Sequence, residues 1–163
     1  MQIDFNSSER SSLGIEMELE VVDGESLQLA SAASELLAAM GKDHPGGTHP
    51  KAKHELFEST VEIITGVCHS VAEGKADLEG TLNELREHTA ARGLELLCSG
   101  SHPFSDWADQ RISPDPRYHR LVEEMQWPAR QLQIFCIHVH VGVRSAEKAI
   151  AIANALAAYI PHF

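Results

Sequence analysis

Basic residues are scarce in this 163-residue chain, which has 13 Lys and Arg against 24 Asp and Glu and a formal net charge of −11. A nucleic-acid-binding surface normally needs a basic patch, so we expect no nucleic-acid partner. An anionic substrate would need bound cations, or well-placed Arg and Lys side chains, to offset the same negative charge.

Cysteines and long apolar runs are also scarce. The three cysteines, Cys68, Cys98 and Cys136, are odd in number and far apart, which favours reduced residues over a disulfide framework. No apolar run approaches the ~18 residues of a membrane helix, and no signal-like segment begins the chain. We therefore expect a cytoplasmic protein without membrane contact, folded as a single domain over residues 1–163.

Within residues 13–22 (LGIEMELEVV), positions 15–21 alternate strictly between apolar side chains and glutamates. Successive side chains of a β-strand point to opposite faces, so Glu16, Glu18 and Glu20 share one face. A divalent cation would explain this row of like charges, because Mg²⁺ and similar cations take oxygen ligands. An edge strand with a solvated acidic face explains this segment equally well.

The rest of the chain alternates between predicted strands and helices. Strands are expected at 55–67, 94–100 and 133–143. Helices are expected at 26–40, from Ser70 to about Gly93, at 118–131 with Pro128 at a start or a break, and at 146–159 after Ser145. Residues 42–53 and 101–117 are expected to be loops. We expect strand 94–100 to be mostly buried and strand 133–143 to be central in its sheet.

Acidic and histidine side chains recur on single faces of two further strands. The second strand carries Glu58 and Glu62 on one parity, and the last strand carries His138 and His140 on one parity. If these strands pair with the first, carboxylates and an imidazole converge. A lone buried histidine is more often a core residue, but two on one face make a ligand role about as plausible. Such an oxygen-rich site favours Mg²⁺ or Mn²⁺ over Zn²⁺.

Five sequence strings follow one another in a recognisable order. They are LGIEME at 13–18, ELFESTVEIITGVC at 55–68, SHPFSDW at 101–107, ISPDPRY at 112–118 and IHVHVG at 137–142. Together they resemble the glutamate-cysteine ligase type 2 family, also called carboxylate-amine ligases. The resemblance implies an α+β fold like the glutamine synthetase catalytic domain, a largely antiparallel curved sheet flanked by helices, present here as its N-terminal half.

The resemblance also implies a reaction. The γ-carboxylate of glutamate is phosphorylated by ATP, and an amine such as that of cysteine displaces phosphate to form an amide, as in glutathione biosynthesis. The implied cofactors are Mg²⁺ (or Mn²⁺) and ATP, and the implied partners are these small molecules. Metal ions rather than a protein nucleophile would stabilise the transferred phosphoryl group.

Individual roles follow from the same resemblance. The implied metal ligands are Glu16, Glu18, Glu55, Glu62 and His138. Glu58 and His140 are implied as partners of those ligands or as polar filling, and Glu20 as a solvated or structural carboxylate.

The loop after residue 100 would carry the substrate contacts. Arg111 or Arg117 would pair with a substrate carboxylate, because a guanidinium binds a carboxylate through two hydrogen bonds. The alternative is that these arginines offset nearby aspartates such as Asp115.

Members of the family are longer than this chain, so we do not expect full catalysis from it alone. No glycine-rich phosphate loop replaces the missing part, because the Pro-Gly-Gly at 45–47 lacks a following Lys-Ser or Lys-Thr. Half a sheet leaves an open edge, so a homo-oligomer is expected. The alternatives are a non-catalytic metal- or ligand-binding module, a subunit that needs a partner chain, or a small metal-dependent hydrolase.

Overall fold

The longest strand, β1 (Ser12–Asp23), has neighbours along both of its edges. The computed structural model describes residues 4–162. One edge of β1 pairs with β3 (Thr60–Ile64). The other edge is shared by β5 (Ile137–Gly142), beside residues 12–17, and β4 (Leu94–Leu97), beside residues 20–23.

The sheet continues from β3 to β2 (Ala52–His54), and all of its pairings are antiparallel. The helices are α1 (Ala33–Gly41), α2 (Val71–Ala90), α3 (Pro116–Met125), α4 (Trp127–Arg130) and α5 (Ala146–Ala157). Single 3₁₀ turns occur at Pro45–Gly47, Trp107–Asp109 and Ile160–His162. The predicted α+β class and antiparallel sheet are confirmed. Within residues 4–162 no helix has both the length and the apolarity that crossing a membrane requires.

Helices α1 and α2 cover the apolar face of the sheet. The buried residues of this layer are Leu19, Val21, Val61 and Ile63 of the strands and Leu36, Met40, Leu78 and Leu85 of the helices. Because side chains alternate along each strand, the glutamates of β1 have the other parity. They therefore lie on the face away from these two helices.

Helix α1 begins at Ala33, so the prediction that it begins at residue 26 is wrong. The carboxylate of Asp23 accepts the backbone N–H of Ser26 at 2.8 Å and closes a turn there. Leu27 then has a φ of 58°, which is incompatible with a right-handed helix. Such local side-chain hydrogen bonds compete with helix formation.

The second predicted strand is shorter than residues 55–67. A turn precedes β3, because the N–H of Thr60 donates to the carbonyl of Phe57 at 3.0 Å. Leu56 and Phe57 pack with Tyr118 and Val122 of α3 in a second apolar cluster. The predicted loop 42–53 is also too long at its end, because residues 52 and 53 belong to β2.

Three predicted helix boundaries are confirmed. The side chains of Ser70 and Ser145 accept backbone N–H groups three residues ahead and cap α2 and α5. The predicted helix 118–131 breaks at Gln126, which has a φ of 56°. Pro128 lies in the first turn of α4, where its missing N–H does not interrupt the helix.

The predicted central position of β5 is wrong for residues 4–162. There β5 pairs with β1 alone, and Ile137, Val139 and Val141 are 52–59% exposed. Strand β4, expected to be mostly buried, alternates between partly buried and exposed residues. Within residues 4–162, one edge of β5 therefore has no strand beside it, and the apolar side chains of β5 are more than half exposed.

Candidate functional site

The strand register brings the acidic and histidine residues of three strands together. Glu18 lies directly opposite Glu62 of β3, and Glu16 lies opposite His138 of β5. His140 follows two residues later on the same face of β5. Opposed residues have Cβ atoms about 4.5–5.5 Å apart, so these side chains can share one ligand.

Three carboxylates, which we call the acidic trio, form the centre of this face: Glu18, Glu55 and Glu62. Each has an oxygen within 4.8 Å of the others. Burial raises the pKa of Glu55; the N–H of Leu56 opposes this effect, and repulsion from Glu62 and Glu18 adds to it. Lys53 Nζ lies 2.6 Å from Oε1 of Glu62. One ammonium beside three carboxylates leaves negative charge that a divalent cation would offset.

Glu16 lies between the acidic trio and the histidines of β5. Its Oε2 is 3.2 Å from Nε2 of His140 and 3.6 Å from Nδ1 of His138. The hydrogen bond from His140 holds the pKa of Glu16 below its ordinary value, with help from the charges of His140, Lys53 and His138. Glu16 is therefore ionised and oriented towards β5.

Cys136 is a neighbour of the site that the sequence reasoning missed. Its backbone N–H donates to Oε2 of Glu18 at 2.9 Å, and its Sγ lies 3.3 Å from that oxygen and 3.3 Å from Nε2 of His138. Burial, together with Glu18, raises the pKa of the thiol to about 11. The sequence did contain a signal for Cys136. Residues 136, 138 and 140 are spaced two apart, so in an extended chain their side chains point to the same face.

A cavity of about 250 Å³ opens beside these residues. Glu18, Glu55, Cys136 and His138 contribute its polar wall, together with Thr60 and Tyr118. The apolar wall consists of Leu56, Phe57, Leu121, Leu132 and Ile134. A pocket with one apolar wall and a few converging polar groups is typical of small-molecule sites.

The hydroxyl of Tyr118 is fixed at the edge of this cavity. It donates to the carbonyl of His54 at 3.0 Å. Burial and the charge of Glu55 raise the pKa of Tyr118 to about 12, so the phenol stays protonated.

Glu58 does not join the acidic trio. Its carboxylate accepts the N–H and the hydroxyl of Ser34 at 3.2 and 2.7 Å, at the start of α1, and lies 3.7 Å from Nδ1 of His54. A carboxylate at a helix N-terminus stabilises the helix. The contacts of Glu58 thus fit the polar-filling alternative better than a role beside the metal ligands, whereas His140 does contact Glu16.

The two candidate arginines lie in the segment that leads into α3. The side chain of Arg117 contacts the Tyr118 hydroxyl, stacks on that ring at 4.4 Å and lies 3.6 Å from Asp115. Arg111 is exposed, and its carbonyl accepts the N–H of Glu58. The side chain of Arg117 therefore contacts a residue that lines the cavity, Tyr118.

Glu20 is fully buried, so of its two expected roles, solvated or structural, the solvated one is wrong. Within residues 4–162 neither of its carboxylate oxygens has a hydrogen-bond partner. Burial raises its pKa to about 7. Glu20 is therefore a buried carboxylate on the same face of β1 as Glu16 and Glu18.

A second group of potential ligands, His44, His49 and Glu84, lies outside this site. Nδ1 of His49 accepts the N–H of Lys51 at 3.1 Å, so the neutral ring carries its proton on Nε2, facing Glu84 at 3.4 Å. A metal on Nε2 would need the opposite tautomer. This group is better explained as a tether between the loop after α1 and helix α2.

The fold and site define an α+β protein with carboxylates and histidines converging on one face of an antiparallel sheet. A family model described as Glutamate-cysteine ligase family 2 (GCS2) matches residues 12–163. The chain belongs to this family.

The names of similar proteins agree with this family assignment. "Putative glutamate--cysteine ligase 2-1" of Frankia casuarinae is 57% identical over all of this chain, which spans 43% of that relative. Counterparts in Thermobifida fusca and Mycobacterium tuberculosis are 45% and 40% identical, over 100% and 99% of this chain and 41% of each relative. The chain thus spans less than half the length of these relatives.

A solved structure supports the fold. The crystal structure of glutamate–cysteine ligase from Francisella tularensis in complex with AMP matches 94% of this chain and 30% of that chain. The TM-score is 0.57 and the sequence identity 15%. The glutamine synthetase-like fold predicted from the sequence is therefore confirmed for this part of the domain.

Proposed function

We propose that this chain is the metal-binding part of an ATP-dependent carboxylate–amine ligase. The observation that carries the proposal is the acidic trio beside His138, at a cavity with an apolar wall. In the proposed reaction ATP phosphorylates the γ-carboxylate of glutamate. An amine such as that of cysteine then displaces phosphate to form the amide. The AMP bound to the Francisella relative supports a nucleotide substrate.

The available donors fit Mg²⁺ or Mn²⁺. They are carboxylate oxygens of Glu16, Glu18, Glu55 and Glu62 and one nitrogen of His138. Hard cations prefer such oxygen-rich sets, and carboxylates on paired strands are held in place. When bound, the cation would neutralise charge that develops on the transferred phosphoryl group.

The chain's own residues would orient the substrates and exclude water. Leu121, Leu132 and Ile134 would shield the reacting groups from solvent. Arg111 or Arg117 would bind a substrate carboxylate, and the contact of Arg117 with cavity-lining Tyr118 favours Arg117. These roles need no covalent protein intermediate.

We propose that residues 1–163 form a single domain. The catalytically active protein is proposed to need further residues or further chains. The chain spans 43% of its Frankia relative, and the outer edge of β5 has no strand beside it within residues 4–162. Completion by a longer chain, or by association with other copies, would supply the missing strands. Cytoplasmic location and a role in glutathione biosynthesis belong to the same proposal.

The test is calorimetric titration of the folded chain with MgATP, and with Mg²⁺ and ATP separately. We expect saturable MgATP binding in the wild type and a loss of roughly tenfold or more in Glu62→Gln. Glu79→Gln is the matched control, because this exposed helical glutamate contacts Lys75 rather than the site. Equal MgATP affinity in all three proteins would contradict the proposed site.

A second candidate function is a non-catalytic module that binds ligand only with a partner chain. The uncovered edge of β5 favours it. Absence of MgATP binding by the folded wild-type chain would support this candidate. MgATP binding would also count against a metal-dependent hydrolase.

A further inference from the structure

We propose that Cys136, Glu18 and His138 form a binding site for a thiophilic divalent cation of the zinc class. The three side chains would supply a thiolate, a carboxylate and an imidazole, and a fourth position would remain open. This site goes beyond the proposed function, because it requires neither nucleotide nor substrate. We call it the thiolate site.

The distances among the three ligands carry the proposal. Tetrahedral zinc lies ~2.3 Å from sulfur and ~2.0–2.2 Å from nitrogen and oxygen, which sets ligand atoms about 3.5 Å apart. Sγ of Cys136 is 3.3 Å from Nε2 of His138 and 3.3 Å from Oε2 of Glu18. A small outward movement of the side chains would therefore admit the ion.

The histidine presents the correct nitrogen. Nδ1 of His138 faces the carboxylate of Glu16 at 3.6 Å, and Nε2 faces the sulfur. A proton on Nδ1, directed at Glu16, leaves the lone pair of Nε2 for the metal. Metal-bound histidines commonly have such a carboxylate behind them. In His49 the arrangement is reversed, because Nδ1 accepts a hydrogen bond and the proton lies on Nε2.

Sulfur makes this site different from the acidic trio. The trio offers oxygen alone, which suits Mg²⁺, whereas a thiolate selects softer ions such as Zn²⁺. As the metal–sulfur bond forms, the S–H bond breaks and its proton passes to solvent. Glu18 belongs to both groups, and His138 is also among the donors proposed for Mg²⁺. Occupation of the thiolate site therefore withdraws a ligand from the trio, and the two ions compete.

Cobalt provides a direct test, because Co²⁺ bound to a thiolate has a charge-transfer absorption band. The reduced, metal-free chain is titrated with Co²⁺, and Zn²⁺ is then added to displace it. We expect the band to appear at one Co²⁺ per chain and to disappear with Zn²⁺. In Cys136→Ser the band should be absent and Zn²⁺ affinity should fall by roughly tenfold or more.

Cys98→Ser is the matched control, since Cys98 is an exposed free cysteine outside the site. It should keep the band. If Cys136→Ser fails to fold by circular dichroism, His138→Gln replaces it and should weaken Zn²⁺ binding equally. A band retained in folded Cys136→Ser, or absent from the folded wild type, would overturn the proposal. MgATP calorimetry on the wild type, Cys136→Ser and Cys98→Ser, which keep every donor of the proposed Mg²⁺ set, tests the ligase proposal separately.

Discussion

Glu16 and Glu20 occupy the same face of one strand, yet their pKa values shift in opposite directions. The hydrogen bond from His140 lowers the pKa of Glu16, whereas burial raises that of Glu20 to about 7. The neighbours, not the residue type, set the chemistry of each carboxylate. The same holds for Cys136, whose contacts with Glu18 and His138 make an ordinary small residue a candidate ligand.

Glu20→Gln should stabilise the chelator-treated protein at pH 8. Unfolded Glu20 loses its proton near pH 4.5 but the folded group only near pH 7, so stability falls across that window and stays lower above it. We expect a gain of about 1–3 kcal/mol at pH 8 and almost none at pH 4.5. Urea unfolding at both pH values measures this. An equal difference in the free energy of unfolding between Glu20→Gln and the wild type at both pH values would contradict the explanation.

Strand β1 organises the elements of the site. Its 12 residues are long enough to pair with β3 along one edge and with both β4 and β5 along the other. A one-residue shift in register would move every glutamate to the opposite face. Helices α1 and α2 fix that register, because they bury the alternate residues of β1 and β3.

Ser70→Ala should destabilise the fold by about 1 kcal/mol, because it removes the N-cap of α2. The hydroxyl of Ser70 accepts the N–H of Glu73, and α2 contributes Leu78 and Leu85 to the core. Urea unfolding measures the loss. Ser70→Thr keeps the acceptor oxygen and should retain most of the stability; an equal loss in both variants would contradict a capping role.

At the scale of the whole molecule, the main feature is the exposed apolar surface formed by β5 and α5. Val139 is 59% exposed and Ile150 of α5 is 63% exposed, and no residue of α5 is buried. Contiguous exposed apolar surface marks an interaction site, and an open strand edge is a template for pairing. Strand β5 therefore carries both the histidines of the candidate site and the open edge of the sheet within residues 4–162.

The isolated chain should self-associate through this surface. We expect light scattering to give a mass above the 17.9 kDa of one chain and Val139→Lys to shift it towards that value. Leu27→Lys is the control, because Leu27 is 52% exposed in the turn after Asp23, at the end of β1 opposite from the residues that pair with β5. A monomeric wild type, or an equal effect of both substitutions, would contradict this prediction.

Much of the fold and of the candidate site could be predicted from local pattern. Alternation over residues 13–22 predicted β1, serine caps predicted the starts of α2 and α5, and Pro128 predicted the break before α4. These signals are local, because strand parity and capping depend on residues a few positions apart. The start of α1 was missed because the turn at Asp23 overrides helix propensity.

The sequence by itself determined which residues share a face: Glu16 and Glu18 on one strand, and His138 and His140 on another. Only the tertiary structure decided that Glu18 faces Glu62, that Glu20 is buried, that Glu58 turns to α1 and that Cys136 approaches Glu18 and His138. The physical reason is that parity repeats every two residues within a strand. Register and burial, in contrast, depend on pairing between segments that are far apart in the chain.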